Sequence, residues 1–344
     1  MKQNKLLKIF NRLQKGRYKV HGPVLQDEET QILELENLPD LKLLEKVSDR
    51  PYKYFLMPMR EMLYKYDGRG PKVLAHHNSR HALFGMSIYD IKALELYDRV
   101  FQNDTYYRQG RKKLLIIGYS AKQLSSHKTT FFELDNKVLE SCVFDIFIEK
   151  SDPPASSSRA KSRDLTFYAR GTEGKRILRD CGIKFKEVKY KAKKEDKNVL
   201  KIKKAMEQSQ NDKMWEELGK ICLACGKCTI ACPTCFCFDI ESVIGPEKKA
   251  ERTSGNCFFD DFTRIAGGHK FLNNPAEKIK FWYYHKFVRI PRDYGLPGCV
   301  DCGRCTKVCP VGIDIEKNIK RLLKQPKVKS QKLKVNVSLC DRLL

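Results

Sequence analysis

Eight cysteines of this chain fall into two runs with one spacing. The first motif is Cys222-Leu-Ala-Cys225-Gly-Lys-Cys228-Thr-Ile-Ala-Cys232-Pro233, and the second motif is Cys299-Val-Asp-Cys302-Gly-Arg-Cys305-Thr-Lys-Val-Cys309-Pro310. Both read C-x2-C-x2-C-x3-C-P. Three thiolates with two residues between each pair of neighbours fit around one face of a cubane. Gly226 and Gly303 suit the tight bends between them. The spacing therefore predicts two [4Fe–4S] clusters.

The fourth cysteine of each motif follows a longer step and precedes a proline, so it points away from its own cubane. Bacterial ferredoxins with this spacing use that cysteine for the other cluster. We therefore expect one cluster to be held by Cys222, Cys225, Cys228 and Cys309. The other is expected to be held by Cys299, Cys302, Cys305 and Cys232.

Zinc and disulfides are the alternative uses of these cysteines. Structural zinc usually takes two CxxC pairs or cysteine–histidine mixtures, whereas each motif here has three ligands at one spacing and an outlying fourth. A cubane with cysteine at all four corners binds no substrate. The motifs therefore favour electron transfer, and we identify no catalytic residue.

The composition predicts a reducing, cytoplasmic location. The sequence has no apolar run of the 18 or so residues that a membrane span needs. The basic N-terminus is not followed by the long apolar segment of a signal peptide. Secreted cysteine-rich modules are short, whereas this chain has 344 residues and its cysteines lie mostly toward the C-terminus.

The net charge of +25 raises the possibility of a nucleic-acid partner. The excess is concentrated in two stretches: 184–204 carries ten lysines, and 317–344 carries seven lysines and two arginines. Neither stretch alternates with aromatic residues as a nucleic-acid stacking surface does. We interpret them as a solvated linker and tail that help the chain dock to acidic partner subunits, and a basic, cluster-stabilised nucleic-acid-binding protein is the alternative.

The pattern of the remaining chain predicts an α/β domain over 1–180, a basic linker over 181–212, a mainly helical ferredoxin-like dicluster domain over 213–325 and a basic tail over 326–344. Residues 1–48 look helical and polar. Four short apolar runs are plausible strands: 72–75, 82–85, 113–118 and 143–148. A helix capped by Asp90 is expected between the second and third of these runs, and further helices are expected near 171–178 and 213–221. The segment 151–158 reads as a loop.

The segment between the motifs, 233–298, is a large insertion compared with compact ferredoxins. Its aromatic stretch 281–287 is expected to form a helix over the clusters. It also contains Cys235, Cys237 and Cys257, which are predicted to be structural or adjacent to a cluster. A third metal centre at these three residues remains open, and His269 and His285 are taken as ordinary histidines.

The sequence has no dinucleotide-binding fingerprint, no P-loop and no nucleophile signature. Gly68-Arg-Gly70-Pro71 lacks the third glycine. We therefore predict no flavin, nicotinamide or substrate site on this chain. The isolated Cys142, Cys181 and Cys340 are interpreted as plain thiols.

The chain resembles the dicluster iron–sulfur family of sulfhydrogenase beta subunits, which includes the A subunit of anaerobic sulfite reductase. The matching residues are Trp215, 222–237, 257–262, Gly267, Gly268, Trp282, His285, Lys286 and 298–314, and in the N-terminal half 21–23, 51–53, 60–61, 84–85, 90–94 and 98–101. The resemblance implies an electron-transfer subunit between a flavin- and NAD(P)-binding subunit and a catalytic subunit. That catalytic subunit would be a nickel–iron hydrogenase or a sirohaem sulfite reductase.

Overall fold

The structure is a computed structural model of the chain. It describes residues 2–66, 70–73, 79–122, 124, 128–134, 137–150, 165–191, 196–243 and 248–325. The predicted loop 151–158, the tail 326–344 with Cys340, and parts of the apolar run 72–75 and of the lysine-rich stretch 184–204 lie outside the described residues. No helix in the described ranges is both long enough and apolar enough to span a bilayer.

The chain divides into two compact units, and neither is a continuous segment. The first unit comprises 1–129, 133–194 and 240–253, and the second comprises 130–132, 195–239 and 254–344. Part of the insertion between the two cysteine motifs thus belongs to the first unit.

The strands are β1 Tyr18–Gln26, β2 Glu29–Glu34, β3 Arg60–Tyr66, β4 Pro71–Val73, β5 Arg80–Met86, β6 Leu114–Ser120, β7 Ile146–Lys150, β8 Leu165–Ala169, β9 Lys186–Glu187, β10 Phe238–Val243 and β11 Lys249–Ser254. The helices are α1 Lys2–Lys15, α2 Ile88–Val100, α3 Thr105–Arg111, α4 Gly171–Asp180, α5 Lys197–Gln208, α6 Met214–Ile221, α7 Lys227–Ala231, α8 Pro275–Tyr284, α9 Ile290–Tyr294, α10 Arg304–Lys307 and α11 Ile315–Lys324. A π-helical turn, His285–Arg289, joins α8 to α9.

The first unit is built on a seven-stranded mixed sheet in the order β2-β1-β5-β6-β7-β8-β9. The central strands β1, β5, β6 and β7 run parallel, whereas β2 pairs antiparallel with β1, and β8 pairs antiparallel with β7 and parallel with β9. Every residue of β6 is buried, as expected for a parallel strand covered on both faces. The apolar runs predicted near 82–85 and 113–118 are confirmed as β5 and β6.

One face of this sheet packs on α1 and α4 in a continuous apolar core. That core includes Ile9, Leu13, Phe84, Ile117, Ile146, Phe167 and Ile177. Gly174 of α4 lies so close to Asp145, the residue before β7, that a Cβ there would be 2.1 Å from the Asp145 carbonyl oxygen. The predicted helix at 171–178 is confirmed, and glycine lets it approach the sheet.

Three local predictions for this unit were wrong in detail. Residues 1–48 are not all helical, because α1 ends at Lys15 and β1 and β2 follow it. The run 143–148 enters a strand only at Ile146. The residue that caps α2 is Ser87, whose Oγ accepts a hydrogen bond from the backbone N–H of Asp90 at 3.2 Å. Serine at the N-cap satisfies a backbone donor of the first turn.

A second sheet has the order β10-β11-β3-β4. β11 comes from the insertion and pairs antiparallel with β3. Arg252 of β11 is 3% exposed, and its guanidinium donates to the carboxylates of Glu61, at 2.5 Å, and Asp104, at 2.7 Å. This pairing of distant segments is not visible in a local sequence pattern.

The second unit is mainly helical. The predicted helices near 213–221 and 281–287 are confirmed as α6 and as the end of α8 with its π-helical turn. Gly219 of α6 packs on Ala276 of α8, where a Cβ would lie 2.5 Å from the Ala276 Cβ. The combination of helices with a mixed seven-stranded sheet agrees with the mixed α and β fold class predicted from the sequence.

Candidate metal centre

Both cysteine motifs adopt the same backbone path. In the first motif Cys222 ends α6, Ala224 and Gly226 have positive φ angles of 50° and 70°, and α7 then begins. In the second motif Asp301 and Gly303 have φ angles of 57° and 75°, and α10 follows. In each motif, the second and fourth residues after the first cysteine thus have a left-handed backbone conformation. This repeated turn brings the first three thiols of a motif to one side.

The first thiol group comprises Cys222, Cys225, Cys228 and Cys309, and all four line one cavity. Cys305 of the second motif also reaches this cavity. Cys309 is close enough to Cys222 to raise the pKa of the Cys222 thiol, although burial is the larger cause. The last cysteine of the second motif therefore lies with the first three of the first motif.

The second thiol group comprises Cys299, Cys302, Cys305 and Cys232. Burial raises the pKa of Cys299 well above its ordinary value, and the nearby Cys305 and Cys232 raise it further. Burial and the same neighbour Cys232 raise the pKa of Cys305. The last cysteine of the first motif therefore lies with the first three of the second.

The two groups differ in exposure. Cys225 is exposed, and Cys222, Cys228 and Cys309 are half-buried. All four members of the second thiol group are buried, with Cys232 7% and Cys302 7% exposed. Any group bound by the first thiols is therefore reached from solvent more easily than one bound by the second.

The thiols fit an iron–sulfur cluster by their chemistry. Burial, followed by Cys232 and Cys222, raises the pKa of Cys228 to about 12, so converging thiols in this environment resist ionising by themselves. A cationic metal core removes that penalty by binding the thiolates. Backbone N–H groups also point at sulfur: Ala224 donates to Cys222 at 3.3 Å and Ile313 donates to Cys309 at 3.3 Å. Such donors stabilise negative charge on cluster ligands.

Aromatic side chains cover the space between the motifs. Trp282 and Tyr283 of α8 line the cavity of the first thiol group, and Tyr283 is fully buried. The Tyr283 hydroxyl accepts a hydrogen bond from Asn318 Nδ2 at 3.0 Å, so its polar atom is satisfied. These rings exclude water from one side of the thiols.

Cys235, Cys237 and Cys257 form a further cluster of thiols. A hydrogen bond with Cys237 is the largest cause of the strongly raised pKa of Cys257, followed by burial and the nearby Cys237 and Cys235. Cys235 Sγ accepts a hydrogen bond from Trp282 Nε1 at 3.4 Å. Within the described part of the chain, no three His, Cys, Asp or Glu residues are arranged to hold a single metal ion.

His285 is packed among aromatic rings. Its ring centroid lies 5.6 Å from that of Phe236 and 6.2 Å from that of Phe281. Burial, then the nearby Lys286 and Arg289, lowers the pKa of His285 to about 4. These contacts are those of a neutral histidine in an apolar core.

One residue beside the thiols was not singled out as functional from the sequence. Lys286, in the π-helical turn, is 2% exposed and donates to Cys232 Sγ at 3.1 Å. A lysine in the sequence carries no local signal of such burial. The position of the Lys286 side chain depends on the turn after α8 and on the fold of the second motif.

Comparison with known proteins agrees with the cysteine pattern. Residues 221–313 match the family model of the 4Fe-4S dicluster domain. The chain is 27% identical to the sulfhydrogenase 2 subunit beta of Pyrococcus furiosus over 325 residues, which cover 89% of this chain and 92% of that protein. No solved structure matches the chain. Both comparisons support the resemblance to the sulfhydrogenase beta subunit family and the role of an iron–sulfur electron-transfer subunit.

Proposed function

We propose that this chain holds two [4Fe–4S] clusters, within residues 213–325, and relays electrons between a flavin- and NAD(P)-binding subunit and a separate catalytic subunit. The observation that carries the proposal is the shared cavity of Cys222, Cys225, Cys228 and Cys309, which unites thiols from both motifs. Cys232, Cys299, Cys302 and Cys305 supply the second set of ligands. A [4Fe–4S] cluster bound at each set takes up and releases one electron at a time.

The protein contributes ligands, exclusion of water and a surface for contact. All eight ligand corners are cysteine in this assignment, which leaves no open position for a substrate. The chain is therefore a non-catalytic subunit of an oxidoreductase complex. We propose that this complex acts in the cytoplasm.

The exposed edge of the first thiol group is where we place electron exchange with a partner. Cys225 is exposed there, and exposed apolar side chains lie nearby in the sequence: Ile221 is 48% and Leu223 64% exposed. Val311, 36% exposed, lines the same cavity as Leu223. Apolar side chains around an exposed ligand are suited to a transient contact that brings a second redox group close. The net charge of +25 favours partners with acidic surfaces.

The catalytic partner is a nickel–iron hydrogenase or a sulfite reductase. The similarity to a subunit named for a sulfhydrogenase favours the hydrogenase. Either partner receives or delivers electrons through this chain, which carries no dinucleotide fingerprint of its own.

The relay is tested with purified, anaerobic protein. NADPH alone is expected to leave the visible absorption band of the chain unchanged, whereas dithionite bleaches it. Addition of the flavin subunit is expected to make the same bleaching NADPH-dependent. Bleaching by NADPH in the absence of that subunit contradicts the proposal. Recovery of the native complex through a tagged chain then separates the two catalytic partners, since one carries nickel and takes up hydrogen and the other carries sirohaem.

A further inference from the structure

We propose that Lys286 raises the reduction potential of the cluster at the second thiol group. The inference rests on the proposed function, because it needs Cys232 as a ligand of the second cluster. It adds a residue outside both cysteine motifs that acts on one of the two clusters. Its basis is the contact between a fully buried ammonium group and a ligand sulfur.

The ammonium group of Lys286 has three acceptors, one for each of its protons. Nζ lies 3.1 Å from Cys232 Sγ, 2.8 Å from Thr234 Oγ1 and 3.1 Å from the carbonyl oxygen of Gly298. Thr234 Oγ1 in turn donates to the Gly298 carbonyl at 2.7 Å and lies 3.1 Å from Cys232 Sγ. The lysine is thus held in place by groups that flank both motifs.

The charge of Lys286 is buried and is not offset by a carboxylate. The side chain is among the largest fully buried ones in the described residues. Its hydrogen-bond partners are a sulfur, a hydroxyl and a carbonyl, and among the described residues no acidic side chain forms a salt bridge with it. A positive charge in a medium of low polarity acts more strongly on a neighbouring charge than one in water.

The backbone around Lys286 fixes this position. Lys286 lies in a π-helical turn, an irregularity that is frequent at functional sites. Gly298, which precedes the second motif, packs directly on this turn: a Cβ there would lie 2.1 Å from the Lys286 carbonyl oxygen. The turn and the start of the second motif are therefore in contact, and the lysine reaches its acceptors from that contact.

Among the residues that the structure describes, no lysine is hydrogen-bonded to a sulfur of the first thiol group. The lysine that acts electrostatically on Cys222 is Lys278, which is one of the weaker causes of its pKa. Lys278 Nζ is bound to the carboxylate of Asp260 at 2.6 Å and to the carbonyl of Phe258 at 2.9 Å. A carboxylate thus neutralises the charge of Lys278, whereas the charge of Lys286 acts directly on a ligand sulfur.

The consequence follows from cluster electrostatics. Reduction adds one negative charge, so a nearby positive charge and a hydrogen bond to a ligand sulfur both stabilise the reduced form. Lys286 therefore raises the potential at which the second cluster accepts an electron.

The test is a potentiometric titration of the full chain, monitored by EPR, with wild type, Lys286→Met and Lys286→Gln. Methionine removes the charge and the hydrogen bond, whereas glutamine removes the charge and keeps a donor. Lys280→Met is the matched control, since Lys280 lies on α8, which leads into the π-helical turn, and its Nζ donates to the Gln210 carbonyl at 2.6 Å. Cys225→Ser identifies the signal of the first cluster by altering it.

We expect the midpoint potential of the second cluster to shift to more negative values in both Lys286 variants, and Lys286→Arg to restore it at least in part. The first cluster and the Lys280→Met protein keep the wild-type values. Two intact clusters with unshifted potentials in Lys286→Met overturn the proposal. Loss of the second cluster in both neutral variants also overturns it, in favour of a purely structural lysine. Failure of the proposed function is distinct, because wild type itself would then lack two reducible [4Fe–4S] signals.

Discussion

Cys309 of the second motif and Cys222 of the first line one cavity, although the whole insertion separates their motifs. Cys232 and Cys299 stand in the reciprocal relationship, since burial raises the pKa of Cys299 and Cys232 lies near enough to raise it further. These positions favour the predicted pseudo-symmetric exchange of the last cysteines between the two motifs. Such an exchange ties both motifs into one folded unit.

The exchange predicts which cluster each fourth cysteine supports. Cys309→Ala is expected to perturb the cluster held by the first three cysteines of the first motif, and Cys232→Ala the cluster of the second motif. Each substitution should lower the iron content from about eight toward about four atoms per chain. EPR of the reduced variants, compared with Cys225→Ser and Cys302→Ser as markers of each cluster, assigns the lost signal. A Cys309→Ala protein that loses the Cys302-dependent signal contradicts the exchange.

The thiols of Cys235, Cys237 and Cys257 are expected to be dispensable for both clusters. Replacement of all three by serine should leave two EPR signals and the wild-type iron content, because eight other cysteines fill the eight ligand positions in the proposed assignment. Trp282→Phe is a useful companion, since it removes the hydrogen bond to Cys235 and keeps the ring. Disappearance of either main signal in the triple variant would make one of these cysteines a ligand.

The buried ion pair on β11 is expected to hold part of the insertion to the first unit. Arg252→Met leaves the carboxylate of Glu61, 5% exposed, without its cation, and should destabilise this unit by about 3 kcal/mol. Arg60→Met is the control: this arginine is 68% exposed in its pair with Glu251, and its loss should cost under about 1 kcal/mol. Urea unfolding measures both. Equal losses in the two variants contradict the role of Arg252.

The stability of the first unit should fall as the pH drops below 6.5, in part because of His21. Burial and the neighbouring His81, whose Nδ1 lies 2.8 Å from His21 Nε2, lower the pKa of His21 to about 4. As the pH falls from about 6.5 to 4, the unfolded chain therefore takes up a proton that the folded chain does not. Stability is lost as the pH falls through this window. The loss between pH 7 and 5 is about 2 kcal/mol.

His21→Gln cannot take up this proton, so its stability should depend less on pH over the same range. Urea unfolding at pH 7 and 5 measures the difference, with the exposed His269→Gln as control. An unchanged pH dependence in His21→Gln would show that His21 is not responsible.

The cluster chemistry could be predicted from the sequence because it depends on the local spacing of the cysteines. The three-cysteine turn of each motif needs only a few residues, and its left-handed positions at Gly226 and Gly303 are visible as glycines. The buried parallel strand β6 was equally clear, since its residues are almost all apolar. Short-range patterns of this kind do not depend on contacts between distant segments.

The features that the sequence did not reveal depend on contacts between distant segments. β1 contains Gly22 and Pro23 and β2 is only half-buried, so neither shows the regular alternation of a strand. The pairing of β11 with β3 joins residues from the two halves of the chain. In the sequence, Lys286 resembles any other lysine. Its burial against Cys232 depends on the turn after α8.

The most direct test of the whole account is metal and sulfide analysis of the chain purified without oxygen, with EPR of the reduced protein. The account predicts about eight iron and about eight sulfide per chain and two interacting [4Fe–4S] signals. Zinc in place of iron, or about four irons with a single signal, would contradict it.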